Sequence, residues 1–457
     1  MRLRGTKTSV ISTNGGLGDQ LWDLGGARPS LDLNFAHSKD LTDATTGSNL
    51  VDFTRASSGT YVGSDGLIKT ATTNEPRFDH DPTTGESLGL LVEEQRTNLT
   101  PYSRYESTQW TFVAASLGAS TKAAIDGATV TAFLANASTG AHRVIRALSG
   151  PYTAGTAFTF SLYVAKPANS DIRGIIVRLR TAVGGQSVSI AVTDNGENST
   201  YEFNASAPFG ASPPPAITSG SFSAVPVGNK WTRISIVTQV SSVNTNYTQW
   251  DIGFSTALSS DTGTGTANSE LFIDAVQLEA GSFPTSYIPT TSSTVTRAAD
   301  VASISGSNFS GWFNESEGSL YTAASFIGAV SQTSFIAQAA LNSANYISMY
   351  RDGSPQRLTA RVVAAGVDSA FFYTTASAIQ ADVEYRNCVG YKLNDFAATS
   401  NGAVPAGDLA GNVPTGLTTL GLGGSPYTSS VPLNGHLRRL TYWPARLPNE
   451  TLQTITQ

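Results

Sequence analysis

Apolar and polar side chains alternate in several stretches of this chain, and this period of two constrains the fold more than any other feature. In Phe158–Val164 every even position is apolar, so those side chains share one face of an extended strand. The same alternation runs through Val188–Val192 and Trp250–Phe254. Only 14% of the residues are charged, while 43 are glycine, a composition that suits strands joined by tight turns. The sequence therefore predicts an all-β fold and argues against helical bundles.

The chain has 457 residues, which is too long for one ordinary core, and differences in composition and hydrophobic patterning divide it into four stretches. Residues 1–50 are Gly-rich and weakly patterned, and they are predicted to be an extended anchor that becomes ordered only against a partner. Residues 51–102 are predicted to be a small β connector, 103–296 a jelly roll, and 297–457 a second sandwich. The predicted architecture is thus two antiparallel β-sandwich domains after an N-terminal anchoring region.

Charge and cysteine content exclude several classes of protein. A net charge of −6 lacks the basic stripe of a nucleic-acid binder. The apolar runs are far shorter than the roughly 20 residues that a membrane-spanning helix needs, so membrane insertion is not expected. Cys388 is the only cysteine, which precludes an intrachain disulfide, and we expect it to be a packed structural thiol. The basic start, Met1–Lys7, is not followed by an apolar signal core, so we expect production in a reducing cytoplasm.

Three segments resemble parts of known proteins. Glu75–Leu99 (EPRFDHDPTTGESLGLLVEEQRTNL) resembles a segment of bacteriophage virion proteins of the tail-fibre or receptor-binding kind. Leu278–Pro289 (LEAGSFPTSYIP) is similar to the stretch that closes a carbohydrate-binding-module-like jelly roll in the same proteins. Leu433–Pro444 (LNGHLRRLTYWP) is similar to the end of concanavalin-A-like lectin domains on phage fibres and gene-transfer particles. Residues 1–50 match no family.

The resemblance implies a virion appendage, a fibre or spike, that attaches to host cell-surface polysaccharide. It implies a location in the virion after release by lysis, with other virion proteins contacting residues 1–50. It also implies a homotrimer, because multivalent display strengthens weak sugar binding. A purely structural head-spike or collar component without ligand is the alternative that carries no binding site.

Glycan cleavage needs paired carboxylates at a fixed separation. The concanavalin-like glycosidases carry Glu-x-Asp-x-(x)-Glu on one strand, and this chain has no such run. Glu315 and Glu317 fall in a Gly-bounded turn, and Glu93 and Glu94 read as salt-bridge partners in the connector. The prediction is a protein that is not an enzyme, with a glycan-cleaving depolymerase as the alternative.

Sugar rings stack on aromatic faces that have amide or carboxylate groups nearby. The candidates are Trp110, Tyr247, Trp250 and Tyr427. Tyr247 and Trp250 lie among polar residues, but Trp250 also continues the apolar face of its strand, which would put it in the core. Tyr427 follows Gly423–Pro426 and is expected to be exposed on a loop.

Asp274 is a charge within an otherwise apolar strand, Leu271–Leu278. The resemblance to carbohydrate-binding jelly rolls implies that such an aspartate helps to hold a structural calcium, an ion that prefers oxygen ligands. From the residues alone, a hydrogen-bonded aspartate without metal is the alternative. No other cofactor is predicted.

Overall fold

The computed structural model describes residues 27–104, 109–138, 142–148, 156–168, 170–181, 184–193, 199–210, 221–239, 247–256, 269–328, 332–427 and 432–457. These residues form an almost entirely β structure of antiparallel sheets, which confirms the predicted fold class. Within them, no helix is long and apolar enough to cross a membrane. The helices described are α1 Phe35–Ser38, α2 Ser307–Ser310 and α3 Asn449–Ile455, with a 3-10 turn at Gly228–Lys230.

The strands fall into three groups along the chain. Before residue 100 they are β1 Leu31–Leu33, β2 Thr42–Asp43, β3 Ser48–Asn49, β4 Asp52–Thr54, β5 Gly59–Val62, β6 Ile68–Ala71, β7 Phe78–His80, β8 Ser87–Val92 and β9 Arg96–Asn98. The middle group is β10 Thr111–Val113, β11 Ala115–Gly118, β12 Ala132–Ala135, β13 Arg143–Ala147, β14 Ala157–Ala165, β15 Gly174–Thr181, β16 Gly184–Thr193, β17 Thr200–Gly210, β18 Phe222–Val227, β19 Trp231–Gln239, β20 Tyr247–Ser255 and β21 Glu270–Ala280. The last group is β22 Val295–Arg297, β23 Val301–Ser305, β24 Glu317–Phe326, β25 Ser334–Asn342, β26 Asn345–Arg351, β27 Leu358–Ala364, β28 Val367–Tyr373, β29 Tyr385–Lys392, β30 Phe396–Ser400, β31 Ala406–Asp408, β32 Thr419–Leu422 and β33 Gly435–Trp443.

The middle group builds the jelly-roll sandwich. One six-stranded sheet has the order β10-β13-β20-β15-β16-β17 and the other β11-β12-β21-β14-β19-β18. The even positions of Phe158–Val164 all lie in the core between these sheets, as their alternation predicted. β21 lies between β12 and β14, and it is apolar on both faces because Leu271 and Ile273 enter the core between the sheets while Phe272 packs into a second cluster with Trp231.

The last group builds the C-terminal sandwich, together with strands from before residue 100. Its eight-stranded sheet runs β31-β30-β29-β24-β33-β8-β7, with β1 also pairing β33, and its seven-stranded sheet runs β28-β27-β26-β25-β32-β23-β4. Leu320 and Leu440 of the first sheet share one core with Ile347 and Leu420 of the second. Each such buried side chain contributes about 1.5–3 kcal/mol.

The N-terminal stretch differs from its prediction as an anchor and a connector. Its described residues, from 27 onward, pair with strands more than 200 residues away: β1 with β33, β4 with β23, and β8 with β33. Asp32 on β1 is buried and makes two 2.8 Å bonds to Arg439. The partner that orders this weakly patterned segment is therefore the chain's own C-terminal sandwich, and the jelly roll is an insertion within that sandwich.

The chain enters and leaves the jelly roll through a narrow crossing, which we call the neck. There β9 pairs with β22 in a short antiparallel ladder, with Arg96 opposite Arg297. At this ladder lie five charged residues whose side chains are at most 1% exposed: Arg55, Arg77, Glu93, Arg297 and Asp300. A network of ion pairs therefore surrounds the two backbone segments that connect the domains.

The pairing within the network is dense. Asp300 accepts hydrogen bonds from Arg55, at 3.1 Å, and from Arg77. Glu93 lies 2.8 Å from Arg77 and 3.4 Å from Arg297, and it also accepts two bonds from Ser286 of the jelly roll. Burial alone would raise the pKa of Glu93, but Arg297 and Arg77 hold it well below its ordinary value.

The two segments used for the resemblance meet at this neck. Arg96 pairs with Glu94 at 2.6 Å and lies over the ring of Phe283, 4.8 Å from its centroid. Gly281 is required there, because a Cβ at this position would lie 1.4 Å from the Arg96 guanidinium. The prediction that Glu93 and Glu94 are salt-bridge partners is confirmed, and the residues of both segments take part in joining the two sandwiches.

Candidate functional site

Two of the predicted sugar-stacking residues lie in the jelly-roll core. Trp250 is fully buried, with Trp110 edge-on at 5.2 Å and Phe160 at 5.8 Å between ring centroids. Trp110 is 3% exposed, and its indole N–H donates to the carbonyl of Tyr102. Neither ring offers a face to a sugar, which corrects the expectation for both residues. The cause is the alternation itself, which carries Trp250 onto the same side as Ile252 and Phe254.

Tyr247 begins β20, but its side chain lies outside the described part of the structure. Further along this strand, Asp251 is buried and ion-paired with Arg178, at 3.1 Å, and with Arg180. Tyr247 therefore stays a prediction without a described partner.

Asp274 is an ion-pair partner in the structure, which corrects the expectation of a calcium ligand. Its Oδ2 lies 3.0 Å from Arg104, and its Oδ1 accepts the backbone N–H of Ala275 at 2.8 Å. Arg104 also forms an ion pair with Asp126, at 2.7 Å. Burial raises the pKa of the Asp274 carboxyl despite this arginine. Among the residues that the structure describes, no group of three or more His, Cys, Asp or Glu could hold a metal ion.

Tyr427 is placed as predicted, on an exposed loop, and it leads to the candidate site. Its loop folds over the outer face of the seven-stranded sheet, since a Cβ on Gly421 of β32 would lie 2.4 Å from the carbonyl of Gly424. Tyr427 is 39% exposed, and its ring centroid lies 6.5 Å from that of Tyr346 on β26. Tyr427 therefore lies over the outer face of this sheet.

Strand register defines which side chains share that face, because residues directly opposite each other on paired strands point the same way. One row across the sheet joins Gln338, Ser348, Arg361 and Phe371. The next row contains Tyr346, and the row on the other side contains Phe335, Tyr350 and Tyr373. We call this set the platform; its members are Phe335, Gln338, Tyr346, Ser348, Tyr350, Arg361, Phe371, Tyr373 and Tyr427.

Aromatic rings and guanidinium groups follow one another across the platform. The Arg361 guanidinium lies 5.9 Å from the centroids of both Tyr346 and Phe371. Phe371 meets Tyr373 edge-on at 5.2 Å, and both rings are 42% exposed. These distances are those of aromatic pairs and cation–π contacts, so the rings hold each other in place while leaving faces open to solvent.

A polar floor lies beneath the rings. Gln338 is fully buried, and its Nε2 donates to the Tyr427 hydroxyl at 3.2 Å. Its Oε1 is buried and has no hydrogen-bond partner among the described residues. An unsatisfied buried acceptor is costly, by about 1–3 kcal/mol.

The charged groups on and beside the platform interact with neighbouring side chains. Arg361 binds Asp368 through two bonds, at 2.6 and 3.2 Å, and these bonds raise the pKa of the Arg361 guanidinium. Arg357 lies over the ring of Tyr373, whose hydroxyl donates to Asp352 at 3.3 Å. Burial raises the pKa of Tyr350 to about 12, so this phenol stays neutral at ordinary pH.

Most of the platform was missed by the sequence analysis. Phe371 and Tyr373 were not singled out as surface rings. The sequence contains no clear signal for them, because Phe371 is adjacent to the equally apolar Phe372, which is buried. Glu315 and Glu317 are engaged elsewhere, Glu315 by the backbone N–H of Gly416 and Glu317 by Lys392 and the N–H of Arg446.

No protein-family model and no curated relative matches the chain. Solved structures with some similarity include CBM40 of the Ruminococcus gnavus IT-sialidase, at 14% identity and TM-score 0.27, covering 32% of this chain and 84% of that one. Domain 4 of AbnA, a GH43 extracellular arabinanase from Geobacillus stearothermophilus in complex with arabinotriose, is 12% identical at TM-score 0.28, covering 38% and 81%. Trypanosoma rangeli sialidase in complex with sialic acid is 10% identical at TM-score 0.26, covering 75% of this chain and 62% of that one. The neighbours are thus carbohydrate-binding and sialidase-type proteins, at TM-scores too low to relate their sites to the platform.

Proposed function

We propose that the chain is a non-catalytic glycan-binding protein that holds polysaccharide on the platform of its C-terminal sandwich. The observation that carries this proposal is the set of exposed rings on one sheet face, Phe371 and Tyr373 on β28 and Tyr427 on its loop, with the polar side chains of Ser348 and Arg361 on the same face. Ring faces take up the C–H patches of sugars, and polar groups beside them bind the hydroxyls. Both chemistries meet on one sheet face.

Retention of the purified protein on immobilised polysaccharides tests the proposal. Replacing Tyr373 with Ala removes one stacking ring, which is worth on the order of 1 kcal/mol, or about a five-fold loss of affinity. Tyr427→Phe keeps the ring and removes the hydroxyl that Gln338 binds, whereas Tyr427→Ala removes both, so the second change should cost more. Leu409→Ala is the matched control, because Leu409 is 79% exposed but follows β31 on the other sheet.

Other outcomes separate the alternatives. Sizing of the polysaccharide after incubation detects cleavage, and a time-dependent fall in chain length would assign the protein to the depolymerase class. Absence of retention on any polysaccharide would leave the purely structural role.

We further infer that this binding serves attachment by a bacteriophage-type virion appendage. The resemblance of Glu75–Leu99 and Leu278–Pro289 to virion proteins supports this proposal. Because β1 and α1 are occupied within the C-terminal sandwich, the contact with other virion proteins that was predicted for residues 1–50 is now proposed for residues 1–26. The location in the virion and the homotrimer remain part of the same proposal.

Particles assembled with and without residues 1–26 test this role. The shortened protein should fold and bind polysaccharide normally but fail to enter particles, since its sandwiches are intact. Light scattering of the full chain should give three times the mass of one chain. Normal incorporation of the shortened protein would place the anchor elsewhere, and a monomer at micromolar concentration would contradict the trimer.

A further inference from the structure

The shape and charge of the platform point to a more specific class of ligand. Resting on the proposed glycan-binding role, we propose that the platform binds an internal stretch of a linear, uncharged polysaccharide. Three properties of the platform carry this inference: its length across the sheet, its openness and its balanced charge.

The platform extends across several strands. Its side chains come from β25, β26, β27 and β28, which are consecutive neighbours in the sheet. Adjacent strands lie about 4.8 Å apart, so the outer two are separated by about 14 Å. Arg361 lies between the rings of Tyr346 and Phe371, and Tyr373 continues from Phe371. Tyr346 itself is buried, but Phe371 and Tyr373 are exposed on β28 and Tyr427 is exposed beside Tyr346. A single sugar covers one exposed ring, whereas a chain of sugars can reach from Phe371 and Tyr373 towards Tyr427.

The platform is open rather than enclosed. Phe371 and Tyr373 are each 42% exposed, and Tyr427 is 39% exposed. A ligand therefore lies along the sheet face, and nothing in this arrangement selects the end of a chain. Internal segments of a polymer fit such a face better than a terminal residue does.

The charge of the platform and its edge is balanced. Arg361 is held by both oxygens of Asp368, and Tyr373 contacts both signs of charge, with Arg357 over its ring and its hydroxyl donating to Asp352. The guanidinium within the platform is thus already bonded to a carboxylate, and the whole chain carries a net charge of −6, which disfavours a polymer of acidic sugars. Neutral sugars meet no such penalty.

The test compares neutral polymers (a glucan, a mannan and a galactan) with polygalacturonate, each immobilised and probed with the full chain. We expect retention on at least one neutral polymer, unchanged within about two-fold up to about 0.5 M salt, because no ion pair is formed with the ligand. Oligosaccharides cut from that polymer should compete more strongly as they lengthen, with a tetrasaccharide at least about ten-fold better than the monosaccharide. Tyr373→Ala should flatten this length dependence, whereas Leu409→Ala should leave it unchanged.

Specific results would overturn the inference. Retention confined to polygalacturonate, or retention that salt abolishes, would contradict the uncharged ligand while leaving glycan binding intact. Equal competition by the monosaccharide and the tetrasaccharide would contradict the extended binding mode. No retention on any of the four polymers would refute the proposed function itself together with this inference.

Discussion

Replacing Asp300 with Asn perturbs the neck at its most connected carboxylate. One oxygen of Asp300 accepts from Arg55, and the other accepts from Arg77 and from the backbone N–H of Glu93. Asparagine keeps the shape but removes the negative charge, and its NH2 group would face donors. Three buried guanidinium groups, those of Arg55, Arg77 and Arg297, would then be left with one buried carboxylate, Glu93.

The expected cost follows from burial. Breaking a buried ion pair by neutralising one partner costs about 3–5 kcal/mol, because an uncompensated charge remains in a site without water. Asp300 has no exposed side-chain surface, and neither has Arg55 or Arg77, so solvent cannot screen the change. We therefore expect D300N to lower the free energy of unfolding by about 3–5 kcal/mol. Asp65→Asn is the matched control, because its pair with Lys69 is exposed and worth at most about 1 kcal/mol.

Urea unfolding followed by tryptophan fluorescence and circular dichroism measures both variants. A second variant, D300N with Arg77→Met, should recover part of the loss, since it removes one of the stranded charges. A D300N protein within about 1 kcal/mol of the wild type would refute the view that the neck depends on charge compensation. A double variant no more stable than D300N would show that packing at Arg77, and not its charge, limits stability.

Three further predictions concern other parts of the molecule. The pKa of Glu93 is lower in the folded than in the unfolded chain. Its contribution to the free energy of unfolding is therefore present above the unfolded pKa of about 4.3 and is lost as pH falls below that value. The urea midpoint should fall as pH is lowered, and it should fall less steeply in Glu93→Gln. Trp250→Ala should cost about 3–5 kcal/mol through the cavity it leaves, whereas Trp250→Phe should cost less because the indole N–H has no partner among the described residues; platform binding by folded protein should not change in either. Deleting residues 1–26 should leave the urea midpoint unchanged. Deleting residues 1–35 should lower it, because Arg439 loses its ion-pair partner Asp32 and the core loses Leu31 and Leu33. Equal midpoints for the two deletions would contradict the role assigned to β1.

Local pattern was sufficient where a strand finds its partners within its own domain. The alternation in Phe158–Val164 identified both the strand and its buried face, because apolar residues on one side of a long strand leave little choice. The same rule placed Trp250 in the core. Short strands such as β1 and β4 carry only three residues each, so their sequence cannot indicate which sheet they extend.

The platform was harder to predict, for a different reason. In β28 the rings of Phe371 and Phe372 are adjacent, and only the fold determines which of them faces solvent. Tyr427 was found because glycine and proline mark its loop. The link from Tyr427 to Gln338 spans 89 residues and depends on the register of three strands, which no spacing in the sequence reveals.

The insertion of the jelly roll determines how a load on the N-terminal end would reach the platform. β1 pairs with β33 in the eight-stranded sheet, and Asp32 bonds Arg439 across that pairing. A pull at residue 27 therefore passes directly into the C-terminal sandwich, whose other sheet carries the platform, without crossing the jelly roll. The jelly roll is held to this sandwich by the neck, where Glu93 binds Ser286. It is also held by the N-terminal strands, since the N–H of Ile68 donates to the carbonyl of Ile125 at 2.8 Å and the Thr83 hydroxyl donates to that of Pro226 at 3.2 Å. Under the proposed anchoring by residues 1–26, a load would reach the binding face without passing through either set of contacts.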